Sequence, residues 1–392
     1  MQRRQFLQTL AAAGVTLPSL PGFSRSTQNA ARVRHLVLIE LQGGNDGLNT
    51  VVPIADPRYL ELRPTLALPR DAVLSLDDGV ALHPALAAMM PLWSRGELAV
   101  VQGVGYPDPN RSHFRSIAIW ETASSADEIR IEGWLNALAR ALPPRGEYGI
   151  KALALGKDEG PFAGSANETV VFDNLAGFVK QARGLAQRTA PGATSNAALA
   201  HLLAVERTTR NAALAFAERM DDATQTKGTD AGRPLERRLA LVARLIEADV
   251  GPQVFKVELG SFDTHRAQLG RHAGLLEQLG EALSNFASRL SSVGRWDDVL
   301  VMTYSEFGRR AAENGTGGTD HGTAAPHFVL GGRVAGGLHG RSPDLAKLKQ
   351  GDPAYTTDFR ALYATIARDW FGQPLAKTPY ANFGILPLVE NP

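Results

Sequence analysis

Two apolar runs of strand length constrain this chain more than any other feature. Leu36-Val37-Leu38-Ile39-Glu40-Leu41 and Val299-Leu300-Val301-Met302-Thr303-Tyr304 lack the polar alternation of a half-exposed strand. A strand that is apolar on both faces has to be covered on both, which is the situation of a central strand in a parallel sheet flanked by helices. Shorter runs at residues 98–104, 152–155, 169–172, 253–259 and 327–330 predict further strands. Long helices are predicted between Ser195 and Asp249, broken by a polar linker from Asp221 to Pro234. Another helix carries Leu269, His272, Leu276, Leu279, Leu283, Phe286 and Leu290 at three-to-four spacing. Thr356-Thr357-Asp358 caps a last helix running to Trp370. The expectation is a three-layer α/β fold, with a mostly parallel central sheet and helices on both faces. It would be one domain over residues 32–392, with a helical insertion at about 175–250.

The chemistry stands where these strands end. In open α/β sheets, ligands sit beyond the carboxyl ends of strands. The first run leads into Gly43-Gly44-Asn45-Asp46-Gly47, and the strand before residue 260 into Asp263-Thr264-His265. The run ending at Tyr304 leads into Ser305-Glu306-Phe307-Gly308-Arg309-Arg310 and then, through glycines, to Asp320-His321-Gly322. Asp46, Asp263, His265, Glu306, Asp320 and His321 are therefore candidate ligands for one or two divalent ions (zinc, manganese, magnesium or calcium). Asp46 also fits an ordinary Asn-Asp-Gly turn. The chain has no cysteine, so any metal must be bound through oxygen and imidazole, and disulfides and thiolate nucleophiles are excluded. Five of the nine histidines fall between positions 265 and 339, a concentration that favours a site. His272 lies on the apolar face of its helix and reads as a hydrogen-bonded core residue, and His83 reads as structural.

Ser112 precedes a predicted helix, between Arg111 and His113. A hydroxyl there is either a helix cap or, beside a metal, a nucleophile toward phosphorus or sulfur. Arg111 and Arg309 are the candidates to hold an anion, and His113 to act on the leaving group. A net charge of +1 with 21% charged residues gives no basic excess for nucleic acid. No dinucleotide glycine fingerprint supports a redox enzyme.

Arg3-Arg4 stand before Phe6 and a mildly apolar stretch from Leu10 to Val15 that is too short to span a membrane. This resembles a twin-arginine export signal, with cleavage near Ala30 or Ala31. It implies passage through the twin-arginine translocase to a periplasmic or extracellular location, with no transmembrane segment in the mature protein.

Taken together, Gly43–Asn49, Arg111–Phe114, Asp263–His265, Ser305–Arg310 and Gly318–Gly322, in that order behind a twin-arginine start, resemble a large exported bacterial family. That family is labelled a domain of unknown function and is placed in the alkaline phosphatase and sulfatase superfamily. The resemblance covers about residues 33–388 and implies the alkaline phosphatase-like fold. It matches Asp46 to the first metal aspartate, Ser112 to the nucleophile and Asp263 to the aspartate of the Asp–His metal motif. Two departures accompany it. His265 follows Asp263 by two residues where the superfamily spaces them by four. The Asp-His expected after the penultimate central strand is replaced by Glu306-Phe307, with Asp320-His321 displaced into the next loop. Ser112 also lacks the Pro-x-Arg context that formylglycine formation needs, which argues against a sulfatase of that type. The expected function is an exported metal-dependent hydrolase of phosphate or sulfate esters, with a small anionic ester or glycan as substrate. The alternative is a catalytically degenerate relative that binds a glycan, an anion or a protein.

Overall fold

Nine strands build the central sheet of this computed structural model, which describes residues 32–143, 150–164, 169–186, 194–224, 233–249 and 251–390. They are β1 (His35–Leu41), β2 (Leu98–Gly105), β3 (Ala152–Leu155), β4 (Thr169–Phe172), β5 (Val254–Leu259), β6 (Val299–Tyr304), β7 (Ala325–Leu330), β8 (Gly337–His339) and β9 (Thr357–Asp358). Their order across the sheet is β8-β2-β7-β6-β1-β5-β3-β4, with β9 also pairing with β2. Strands β6, β1, β5, β3 and β4 run parallel. Only β7 runs against its neighbours, between β6 and β2. The predicted mostly parallel sheet is thus present, and its seven longer strands fall where the apolar runs stand, while the short β8 and β9 are not predicted. Residues 1–31, which include the expected export signal, lie outside the described residues, as do positions 225–232 of the expected linker.

Both faces of the sheet are covered, as continuous apolar strands require. Val37, Ile39 and Leu41 of β1 and Val299 and Val301 of β6 point into one buried cluster. There they meet α5 (Pro234–Glu247) and α6 (Gln268–Ser292). Leu36 and Leu38 of β1, with Leu300, Met302 and Tyr304 of β6, point into the other. That side is closed by α1 (His113–Thr122), α2 (Trp134–Ala141) and α7 (Phe359–Thr365). The helices α3 (Leu175–Ala186) and α4 (Ala197–Thr224) precede α5 within the segment read as a helical insertion. None of the helices among the described residues is long and apolar enough to cross a membrane.

Strand direction decides where the site lies. β1, β5, β6 and β2 all point the same way, so the loops that leave them gather at one edge of the sheet. β7 runs the other way, so the residues leading into it, including His321, come to that same edge. The excursion from Ser305 to Ala324 folds back on itself, with Arg309 and His321 paired as an antiparallel bridge. Gly308 and Gly322 extend that pairing, since Gly308 N donates to Thr323 O at 2.7 Å and Gly322 N to Gly308 O at 2.9 Å. Two histidines and two aspartates separated by up to 58 residues in sequence are thereby brought together.

Candidate metal centre

Asp263 is the point on which three imidazoles converge. His265 Nε2 stands 3.0 Å from Asp263 Oδ1, and His321 Nε2 stands 3.2 Å from the same oxygen. The two Nε2 atoms are 3.0 Å from each other. His113 Nε2 is 3.7 Å from the other carboxylate oxygen. One nitrogen each from His113 and His321 and one oxygen from Asp263 lie within 4.8 Å of one another.

The far nitrogen of each ring is already engaged. His321 Nδ1 donates to the Arg111 carbonyl at 2.9 Å, His265 Nδ1 to Asp320 Oδ1 at 3.0 Å, and His113 Nδ1 to Glu306 Oε1 at 2.8 Å. Since each acceptor is an oxygen that can only receive a proton, each ring must carry its hydrogen on Nδ1 when neutral. In that tautomer three Nε2 lone pairs stand about Asp263, whose Oδ1 also accepts from the Arg309 guanidinium at 2.7 Å. The mutual repulsion of the facing lone pairs is relieved by a proton on one ring or by a metal ion among them. Ligand atoms bound at about 2.0–2.1 Å in tetrahedral geometry sit about 3.3 Å apart, close to the separations found for Asp263, His265 and His321. The donor set therefore fits a metal ion. Imidazoles beside a carboxylate favour zinc or a neighbouring transition metal over magnesium or calcium, which prefer all-oxygen shells.

The outer groups explain why this cluster is stable. Burial tends to raise the Asp263 pKa, but Arg309, donating from Nη2 to Oδ1 at 2.7 Å, together with His321 and His265, holds the carboxyl below the usual aspartate range. The hydrogen bond from Asn314 and the contact with His265 keep Asp320 ionised below its ordinary value. The Glu306 hydrogen bond raises the His113 pKa against partial burial. Glu306 is itself fixed by Gly43 N, which donates to Oε1 at 2.8 Å. That approach requires glycine at position 43. Its φ is +111°, and a Cβ there would stand 2.4 Å from Asp263 N.

The sequence candidates thus separate by position. Asp263, His265, His321 and His113 share one cluster. Glu306 and Asp320, expected as ligands, touch it only through the Nδ1 atoms of His113 and His265. Asp46, also expected as a ligand, is placed elsewhere. Its carboxylate is buried against Arg63, whose Nη1 donates to Oδ2 at 2.6 Å, and Gln268 Nε2 donates to the same oxygen. Burial raises the Asp46 pKa, and Arg63 more than reverses this, leaving the group below the usual range. Arg309, expected to hold an anion, has a side chain with no exposure, and it donates to Gly43, Gly44, Phe262 and Thr319 carbonyls as well as to Asp263. It braces the Gly43–Gly44 turn and aims Asp263. Arg111 is more open and pairs with Asp352. Ser112 is exposed just before α1, with no cap hydrogen bond from its side chain.

His272 is the core residue expected, accepting no metal role: it meets Asn45 Oδ1 at 2.9 Å, and burial pushes its pKa down to about 4. Sequence reasoning missed Arg63, Gln268 and Asp352. Arg63 stands alone in a loop-rich segment, and only its burial next to Asp46 reveals a role. A second ionic group, Lys256 with Glu40 at 2.9 Å, Glu121 at 3.4 Å and Asp158 at 2.7 Å, lies on the α1 side of the sheet. Its three N–H groups face three carboxylates, which describes a satisfied structural network.

No curated protein matches the chain. Among solved structures, it is similar to a protein in the alkaline phosphatase superfamily from Vibrio parahaemolyticus, at 10% identity and a TM-score of 0.38, covering 90% of this chain and 69% of that one. It is also similar to the soluble domain of lipooligosaccharide phosphoethanolamine transferase A from Neisseria meningitidis, at 12% identity and a TM-score of 0.38, covering 86% and 88%. The lipoteichoic acid synthase of Listeria monocytogenes gives 12% identity and a TM-score of 0.33, covering 84% and 70%. Residues 33–370 match the family described as "Protein of unknown function (DUF1501)", and the chain belongs to that family.

Proposed function

We propose that this chain is an exported, metal-dependent hydrolase of phosphate or sulfate esters. The observation that carries the reading is the convergence of His265, His321 and His113 Nε2 on Asp263, each ring with its Nδ1 proton already placed. Asp263, His265 and His321 would hold a single zinc or manganese ion. Bound there, such an ion supplies Lewis-acid polarisation of the ester oxygen and makes a nearby hydroxyl more acidic.

This chain's own residues perform the rest. Ser112 stands one residue from His113 at the head of α1, its hydroxyl not spent on a cap, and would be the nucleophile. The same helix terminus offers backbone N–H groups and a favourable dipole for an anion. His113, whose Nε2 lies farthest from the carboxylate, exchanges a proton with the leaving oxygen, and Glu306 favours its protonated form. Arg111 meets the anion from the cleft side. The twin-arginine pattern at Arg3-Arg4 supports export to the periplasm or beyond it.

The test combines elemental analysis with turnover of p-nitrophenyl phosphate, phosphonate and sulfate esters. About one equivalent of zinc or manganese, absent from a His265→Ala/His321→Ala variant, and turnover lost in Ser112→Ala are expected. Wild-type protein that retains no metal after dialysis against zinc and manganese would refute the reading. So would full activity in Ser112→Ala.

A further inference from the structure

A cleft of about 560 Å³ lies beside the metal centre, between the loop at 108–111 and the loop at 349–355. Arg111 joins the two features: its carbonyl accepts from His321, and its side chain lines the cleft. The cleft wall carries two carboxylates, Asp108 and Asp352, two cations, Arg111 and Lys349, the amide of Asn110 and the ring of Tyr355. Their charges balance, which disfavours a second anionic group.

Two details point to a neutral ligand rich in hydroxyls. The Asp352 side chain is only 1% exposed, yet its Oδ1 has no hydrogen-bond partner, and the Arg310 guanidinium stands off at 3.6 Å. A buried carboxylate oxygen without a donor is costly, and a ligand hydroxyl would satisfy it. Tyr355 is 40% exposed and presents an aromatic surface beside the charged and amide groups of the cleft. Carboxylate, guanidinium and amide groups around an open aromatic ring match the alternating donors, acceptors and C–H faces of a sugar.

We propose that this cleft binds a sugar ring, so that the ester cleaved at the metal centre is carried on a saccharide. The second clause rests on the hydrolase reading, whereas the first does not. Saturation-transfer NMR with neutral trisaccharides of glucose, galactose and N-acetylglucosamine, using both metal-loaded and metal-stripped protein, separates them. At least one trisaccharide is expected to bind in both forms, with affinity lowered about tenfold in Tyr355→Ala through loss of ring stacking. Asn110→Ala is expected to weaken binding as well, and serves should Tyr355→Ala fold poorly. No binding by any of the three sugars, or equal binding by wild type and both variants, overturns the subsite. Sugar binding by a protein that cleaves no ester would keep the subsite and remove the hydrolase. Ester cleavage without sugar binding would do the reverse.

Discussion

Replacing Arg63 by methionine separates a structural role for Asp46 from a ligand role. Arg63 and Asp46 both have side chains with no exposure, and the guanidinium also donates to Asn49 Oδ1 at 2.7 Å, Ala311 O at 2.9 Å and Arg310 O at 3.0 Å. Removing one partner of a buried pair leaves the other charge uncompensated, a loss of about 3–5 kcal/mol. With an unfolding entropy of roughly 2 cal/mol/K per residue over the segment Val33–Pro392, that loss lowers Tm by about 5 °C. The effect depends on pH in a defined direction. In the parent protein the Asp46 pKa is held below its unfolded value, so its contribution is present above pH 4 and fades as pH falls through the folded value. Without Arg63, burial is opposed only by the Gln268 hydrogen bond and by His272, and the folded pKa is expected to rise above the unfolded one. The carboxyl can then protonate at low pH, where the variant recovers part of its stability. The gap between parent and variant is therefore widest near neutral pH and narrows toward pH 4. Adding Asp46→Asn to Arg63→Met removes the stranded charge and should restore part of the loss. Melting temperatures and urea midpoints for the parent, the two single variants Arg63→Met and Asp46→Asn and the double variant at pH 7 and pH 4, with metal content measured in parallel, give the answer. An Asp46→Asn protein of normal stability that has lost its metal would refute the assignment of Asp46 to the Arg63 pair.

Four further outcomes are expected. Asp320→Asn and Glu306→Gln should each keep the fold and weaken metal binding roughly 10–100-fold in chelator competition, because they orient histidines rather than ligate; complete loss of metal would make them ligands. His113→Gln should retain the metal but lose turnover, whereas His321→Gln should lose both, as read by elemental analysis beside the ester assay. His327 is buried with neither ring nitrogen bonded, and burial pushes its pKa to about 3. A depressed base contributes stability that is present above its unfolded pKa near 6.5 and is lost as pH falls toward the folded value. His327→Leu should therefore move the acid-unfolding midpoint to lower pH, and an unchanged midpoint would show that the site does not stay neutral. Gly43→Ala should lower both Tm and metal affinity, because the added Cβ would meet Asp263 N at 2.4 Å; a variant that binds metal normally would contradict the close packing.

The layered α/β architecture was legible in the chain because it depends on short-range periodicity. Apolar runs without alternation mark strands such as β1 and β6, and three-to-four spacing from Leu269 to Leu290 marks α6. The neighbourhood of the site was legible as well, since polar groups after parallel strands must collect at one sheet edge. What each group does there was not. Asp46 and Asp263 follow adjacent strands with similar Gly-rich or polar contexts, yet one faces Arg63 and the other three imidazoles. The roles of Glu306 and Asp320 depend on which imidazole nitrogen they meet. Asp352 closes a turn with Lys349, and only the fold brings its carboxylate to Arg111. Periodicity reports which face of an element is buried. Partnership between side chains tens or hundreds of residues apart is fixed by strand order, by the reversal of β7, and by which charges the packed interior forces together.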